Sequence, residues 1–126
     1  MKLPITIEEG SPTPIYHQIE SQLKEMIIAG HLQAGTALPS IRLLATELAC
    51  SVITTRRAYQ NLEQHGYIKT TQGKGTFVAL IDEKKKEEKK LESVYHALRQ
   101  GIETGRRHNY SNEEIKQMID EILNEV

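Results

Sequence analysis

The chain has 126 residues, with 16 Lys and Arg against 17 Asp and Glu, which gives a net charge of -1. That balance excludes a uniformly basic, histone-like protein, and the single cysteine excludes a disulfide framework and a zinc site built from several cysteines. No apolar run approaches the ~18 residues of a membrane span, and the N-terminus lacks the apolar region of a signal peptide. We therefore expect a soluble, cytoplasmic protein without membrane association.

The first predicted helix runs from Pro14 to about Ala29. Pro14 suits a first helical turn, because the N–H group that proline lacks has no partner there. Gly30 is a suitable end for this helix, and Leu32 and Leu38 are expected to form short edge-strand contacts beyond it. The apolar residues that recur at helical spacing are Ile15, Ile19, Leu23, Met26 and Ile27.

Two further helices follow, separated by three residues. Ser40 is placed to cap the first, Ile41 to Leu48, and Ser51 is placed to cap the second, which extends to His65. The inner face predicted for the second helix consists of Thr55, Ala58, Tyr59 and Leu62. Its other face consists of Val52, Ile53, Arg56 and Gln60.

A β-hairpin is predicted after Gly66. The runs YIKTTQ and TFVAL are rich in β-branched and aromatic residues, and the glycine-rich tip GKG joins them. The hairpin directly follows the pair of helices, so it is available as a wing beside them.

The residues after Ile81 predict a helical hairpin. They open with DEKKKEEKKLE, a mixed-charge run typical of a solvated helix. Gly105 is expected to end the first helix, and Ser111 with Glu114 forms a capping box that begins the second. The apolar stripe of the first helix consists of Leu91, Val94, Tyr95, Leu98 and Ile102. That of the second consists of Ile115, Met118, Ile119, Ile122, Leu123 and Val126.

Charge divides the chain at the same place. Residues 1–81 hold seven basic and six acidic residues, whereas residues 82–126 hold nine and eleven. So short a hairpin cannot bury two apolar stripes alone, so they need the first domain or another subunit. We expect a winged helix-turn-helix domain at 1–81 and a helical dimerisation domain at 82–126, in a mainly α fold with a small β-hairpin (α+β).

The first domain has the features of a DNA-binding surface. A major groove about 12 Å wide admits one helix, and arginine contacts guanine or phosphate in bidentate fashion. Backbone N–H groups at Ser40 and Ser51, both at helix starts, can bind phosphate. The side chains expected to carry the binding are Arg42, Arg56, Arg57 and Lys74, with Gly73 and Gly75 allowing close backbone approach at the wing tip.

Residues 14–78 resemble the DNA-binding domain of the GntR family of bacterial transcription regulators. The resemblance is carried by PIYxQI, AGTALPSIRLLA, TxRRAYxxLExxGYI and the wing GKGTFV. It implies a winged helix-turn-helix that binds double-stranded operator DNA as a homodimer. It places the family's DNA contacts on Arg42, Ser51, Thr54, Arg56, Gln72, Gly73 and Lys74.

Some positions depart from the family pattern or stay open. Val52 and Ile53 stand where a basic or polar pair is common, and we hypothesise that they contact thymine methyl groups instead. Ala49 stands in the turn, where glycine is common. Arg57 either follows the phosphate backbone or points towards Glu63.

The length of the tail selects a subgroup. Larger members of the family append a domain of more than about a hundred residues, whereas 45 residues follow Ile81 here. That resembles the short YtrA-like subgroup, whose helical tail serves dimerisation. The resemblance implies a repressor that binds a near-palindromic operator and controls a transporter operon.

Two other function classes remain as alternatives. Winged helices also dock proteins, so a non-DNA interaction module is possible, although such a module does not require the basic face. For an enzyme, the sequence offers no set of residues with catalytic spacing. We expect no cofactor and no metal, because the five histidines and Cys50 lack ligand spacing. Cys50 is either a small core residue or a redox switch, and the sequence identifies no small-molecule effector.

Overall fold

The computed structural model describes residues 2–125, which form five helices and three strands. They are α1 (Ile15–Ile28), β1 (Ala37–Leu38), α2 (Ile41–Leu48), α3 (Val52–Gln64), β2 (Ile68–Thr71), β3 (Gly75–Val78), α4 (Glu83–Arg107) and α5 (Asn112–Asn124). The chain divides into two compact units between Lys86 and Glu87. The expected mainly α fold with a small antiparallel sheet is confirmed. Among residues 2–125, no helix has both the length and the apolar composition of a membrane span.

The core of the first unit lies between α1, α3 and the sheet. The predicted inner face of α3 is confirmed, since none of its four side chains is more than 3% exposed. Thr55 is the polar member of that face, and its hydroxyl donates to the Ser51 carbonyl at 3.1 Å. The fully buried side chains that meet α3 include Ile19, Leu23, Ile27 and Leu44. Burial of each such aliphatic side chain contributes roughly 1.5–3 kcal/mol.

The segment before α1 completes this core, although the sequence predicted no element there. Leu3 and Ile5 are buried in the same cluster as α1. The Gln22 side chain accepts from the Thr6 backbone N–H at 3.0 Å and donates to the Thr6 carbonyl at 2.8 Å. Gln18, one turn earlier, makes the same pair of bonds with Glu8. Two glutamine side chains therefore satisfy backbone groups of Thr6 and Glu8 in a segment that belongs to no helix or strand.

The turn between α2 and α3 has the predicted length and an unexpected backbone conformation. Ala49 ends α2 with φ +54°, in the left-handed region that favours glycine. The Cys50 N–H donates to the Ala45 carbonyl at 3.0 Å, which closes the turn. Ala49 therefore occupies the glycine position of this turn at a cost in backbone strain.

The predicted hairpin forms part of a three-stranded antiparallel sheet of order β1-β3-β2. Leu38 pairs with Thr76, as expected of an edge-strand residue. Leu32 does not: it lies outside the strands and packs in the core at 7% exposure, because the chain must turn before β1. The Lys74 N–H donates to the Thr71 carbonyl at 3.0 Å and closes the hairpin tip.

The second unit contains the helical hairpin, with one correction to the sequence prediction. Gly105 does not end α4, which continues to Arg107 before Asn109 adopts φ +66°. A Cβ atom at Gly105 would lie 3.1 Å from two carbon atoms of the Ile115 side chain. The glycine therefore permits close approach of α5 rather than helix termination.

The predicted capping box at the start of α5 is confirmed. The Glu114 N–H donates to the Ser111 hydroxyl, and the Ser111 N–H donates to the Glu114 carboxylate at 3.0 Å. That backbone hydrogen bond lowers the pKa of the Glu114 carboxyl below its ordinary value. Val126, the last position of the predicted α5 stripe, lies outside the described residues.

Ala49→Gly is expected to raise the free energy of unfolding by about 1 kcal/mol, because it relieves the left-handed strain and removes only an exposed methyl group. Ala29→Gly is the matched control, since Ala29 is exposed and ends α1 with φ -72°; it should lower stability by up to about 1 kcal/mol. Chemical denaturation of the three proteins measures both changes. A lower stability of the Ala49→Gly variant would contradict the inference that the backbone at Ala49 is strained.

Candidate nucleic-acid interface

The side of α3 opposite the core is a solvent-facing surface. Successive side chains of an α-helix are about 100° apart, so burial of Thr55 and Leu62 directs positions 53 and 60 outward. Ile53 is 77% exposed, and Arg56 and Gln60 are exposed beside it. We call these three residues the outer face of α3. Val52, predicted for the same face, is half-buried.

The starts of α2 and α3 are capped as the sequence predicted. The Ser40 hydroxyl accepts from the Leu43 N–H at 3.1 Å. The Ser51 hydroxyl accepts from the Thr54 N–H at 3.0 Å and donates to the Thr54 hydroxyl at 2.8 Å. The first turns of both helices keep backbone N–H groups that have no partner within the helix, and such groups attract anions.

Tyr59 connects the middle of α3 to the start of α2. Its hydroxyl donates a 2.7 Å hydrogen bond to the carbonyl of Pro39, which directly precedes the Ser40 cap. Burial, followed by the negative charge of Glu47, raises the pKa of Tyr59 well above its ordinary value. The phenol therefore stays a neutral donor, and Tyr59 belongs to the core, as the sequence predicted. Arg42 is exposed in the first turn of the helix that Ser40 caps.

An open groove of about 510 Å³ separates α3 from the start of α2 and from β2. Its lining residues are Ile41, Arg56, Tyr59, Gln60, Glu63, Gln64 and Thr70. Most of them present hydrogen-bonding groups, with one cation and one acid among them. The sequence did not identify Gln64 and Thr70. The i,i+4 repeat of Gln60 and Gln64 was available as a signal, whereas the proximity of Thr70 depends on the fold.

The wing tip is exposed and has little side-chain bulk. Gln72 and Lys74 are exposed, and Lys74 lies between two glycines with φ of +80° and +120°. An added Cβ at Gly73 or Gly75 would meet no atom within 4 Å, so the surface around the tip is open to an approaching partner. Behind the tip, Thr70 and Thr76 pair across the strands at 3.3 Å.

Arg57 is directed towards α1 and not towards Glu63. Its guanidinium carbon lies 3.9 Å from the centre of the Tyr16 ring, in a cation–π contact. The structure therefore brings Arg56 and the α2 start to one surface and places Arg57 on the flank of α3 that faces α1. Tyr16 was missed as a partner because it lies 41 residues earlier in the sequence.

The turn cysteine packs within the protein. Cys50 is half-buried, and its sulfur lies 3.2 Å from the Thr55 hydroxyl. Among residues 2–125, no group of three or more His, Cys, Asp or Glu side chains is arranged to hold a metal ion.

In the second unit, the predicted apolar stripes separate into a covered set and an exposed set. Ile115 is buried, and Ile102, Met118 and Ile119 are half-buried. The other six residues are between 52% and 67% exposed: Leu91, Val94, Tyr95, Leu98, Ile122 and Leu123. We call these six the exposed apolar stripe.

Comparisons with known proteins agree with this architecture. Residues 15–78 match the family described as "Bacterial regulatory proteins, gntR family". The chain is 34% identical over 122 residues to the HTH-type transcriptional repressor YtrA of Bacillus subtilis, and the match covers 97% of this chain and 94% of that protein.

Solved structures show the same fold. A GntR family transcriptional regulator from Listeria monocytogenes matches with a TM-score of 0.75 and 27% identity, over 91% of this chain and 98% of that one. AraR(DBD) in complex with operator ORE1 matches with a TM-score of 0.51 and 26% identity, over 61% and 94%. The Bacillus protein is named a transcriptional repressor and the Listeria protein a transcriptional regulator. This chain belongs to the gntR family of bacterial regulatory proteins and is a DNA-binding transcription regulator with a winged helix-turn-helix.

Proposed function

We propose that the protein is a repressor that binds a near-palindromic operator as a homodimer. Residues 1–81 bind DNA in this proposal, and residues 82–126 dimerise. The main support for this proposal is that the outer face of α3 is exposed, beside the capped start of α2 and the glycine-rich wing tip. The similarity to YtrA, a named repressor, supports the direction of regulation. A transporter operon as the target rests on the subgroup resemblance alone.

Each part of the surface has a distinct role in the proposal. An α-helix about 10–12 Å across fits the major groove, so α3 enters it with the outer face towards the base edges. Arg56 donates two hydrogen bonds to guanine, and Arg42 binds phosphate or base at the α2 start. Lys74 reaches the adjacent groove or backbone. The N–H groups at Ser40 and Ser51 bind phosphate.

Dimerisation follows from the exposed apolar stripe. Six large apolar side chains, each more than half exposed, form an unfavourable surface for an isolated hairpin in water. A two-fold contact with a second copy buries the same stripe on both chains. In a homodimer that binds an inverted repeat, two α3 helices would enter successive major grooves, with half-sites about 34 Å apart.

Selection of bound sequences from random duplex DNA tests the proposal. The expected result is an inverted repeat whose half-sites are centred about one helical turn apart. Recovery of sequences without a shared motif would overturn sequence-specific binding. Recovery of a single, unrepeated half-site would overturn the dimeric reading of the operator.

Arg56→Ala is expected to weaken operator binding by ~1–3 kcal/mol and to relax the base preference at one or two positions of each half-site. Lys74→Ala is the comparison, because loss of a phosphate contact should reduce the slope of log K against log salt by about 0.9. Titrations of operator and random duplexes at several salt concentrations measure both. If Arg56→Ala weakens both duplexes equally, Arg56 is a phosphate contact instead.

Ile53→Asn is expected to reduce the preference for thymine at one half-site position, because an exposed β-branched side chain can pack against the thymine methyl group. Replacement of that thymine by deoxyuridine removes only the methyl group, and it should weaken wild-type binding by about 0.8 kcal/mol. The same replacement should have little effect on the variant. Val52→Asn tests the same contact at the half-buried neighbour, which the sequence hypothesis also places against a thymine methyl group. If no replacement of a thymine by deoxyuridine changes the affinity of the wild-type protein, Ile53 does not contact a thymine methyl group.

Leu98→Glu is expected to convert the dimer to a monomer at micromolar concentration, because the charge falls within the exposed apolar stripe. Gln100→Glu adds the same charge about 200° away around α4 and should leave the dimer intact. Sedimentation velocity distinguishes the two. A Leu98→Glu variant that remained dimeric would place the interface elsewhere.

A further inference from the structure

Two side-chain contacts join α3 to α1 at matching intervals. The Arg57 guanidinium carbon lies 3.9 Å from the centre of the Tyr16 ring. One turn further along both helices, the Asn61 side-chain amide donates to the Glu20 carboxylate at 3.0 Å. We call these four residues the α1–α3 bracket. Neither contact is part of the buried core between the two helices.

The bracket constrains rotation of α3 about its own axis. Arg57 and Asn61 hold one flank of the helix to α1, and Arg56 projects about 100° away from Arg57. At a helix radius of about 5–6 Å, a rotation of about 20° moves a side chain by about 2 Å. A side chain in a binding site must lie within about 0.5 Å and 10–20° of its productive position and orientation. A small rotation would therefore misalign Arg56 with a base edge.

The chemistry of the Arg57 and Tyr16 side chains suits a positioning role. Tyr16 is half-buried against the hydrophobic core, so its ring offers a fixed surface. A planar guanidinium stacks on an aromatic face, whereas an ammonium group has no plane to align with the ring. At 3.9 Å the Arg57 charge is in contact with the ring. A phosphate would have to compete with that contact for the charge.

We propose that Arg57 is a positioning residue: its contact with Tyr16 sets the rotation of α3, and so the base reading of Arg56, without neutralising a phosphate. The proposal rests on the DNA-reading function proposed above for α3. It assigns different roles to two adjacent arginines, with Arg56 reading the DNA and Arg57 holding the helix.

The test uses the full-length protein with the operator selected above and a random duplex of equal length. Arg57→Gln should weaken operator binding about two- to fivefold. Binding to random DNA and the salt slope should both be unchanged. Tyr16→Leu should have the same effect, and the double variant should be no weaker than either single one. Tyr16→Phe keeps the aromatic face and should bind as the wild type does.

Two outcomes would overturn the proposal. One is a fall of about 0.9 in the salt slope of Arg57→Gln, with equal losses on both duplexes, which would make Arg57 a phosphate contact. The other is additive loss in the double variant, which would separate Arg57 from Tyr16. Because Arg57 is exposed, its replacement leaves the core intact, and thermal unfolding checks this.

Arg56→Ala separates failure of this inference from failure of the proposed function. If no operator is selected, or if Arg56→Ala binds it normally, the DNA-reading role of α3 fails and the positioning role falls with it. If Arg56→Ala loses operator binding while Arg57→Gln and Tyr16→Leu do not, only the positioning role is wrong.

Discussion

The 2.7 Å hydrogen bond from the Tyr59 hydroxyl to the Pro39 carbonyl is the contact on which the binding surface depends. It joins the middle of α3 to the residue before the α2 cap, across 20 positions of sequence. If the buried hydroxyl lacked this acceptor, the free energy of unfolding would fall by roughly 1–3 kcal/mol. Because the donor is buried and neutral, salt does not screen this link between α3 and the α2 start.

Charge is sparse on this surface, and its placement matters more than its amount. The chain is nearly neutral, so in the proposed function nonspecific attraction to DNA is weak and a few cations supply the binding. Arg42 lies on α2, Arg56 on α3 and Lys74 in the turn between β2 and β3. Glu63 lines the same groove as Arg56, so in the proposed function its negative charge would disfavour indiscriminate phosphate binding there. The arrangement favours selectivity over strength.

Local sequence signals predicted most of this structure. The caps at Ser40, Ser51 and Ser111 act within three residues, and the inner face of α3 follows helical periodicity, so both are visible in the sequence. The left-handed Ala49 was visible only as a departure from a family pattern. Gly105 was misinterpreted because a glycine that ends a helix and one that admits a neighbouring helix have the same sequence signal.

The remaining features depend on contacts between distant residues. The Arg57 and Tyr16 pair, the Thr70 side of the groove, and the N-terminal segment all require the tertiary fold before their partners can be named. The ten described residues of the two predicted tail stripes show the same limit. Their periodicity gave the stripes, but the division into covered and exposed members depends on how α5 packs on α4.

The glutamine-bound N-terminal segment changes how this module should be delimited. The family match begins at residue 15, yet Leu3 and Ile5 belong to the same apolar cluster as the helices within the match. A domain transplant cut at the boundary of the match would expose one side of α1 to water and leave Gln18 and Gln22 without their backbone partners. The portable unit is therefore longer than the region that the family match covers, and a chimeric regulator should also carry the residues that precede position 15.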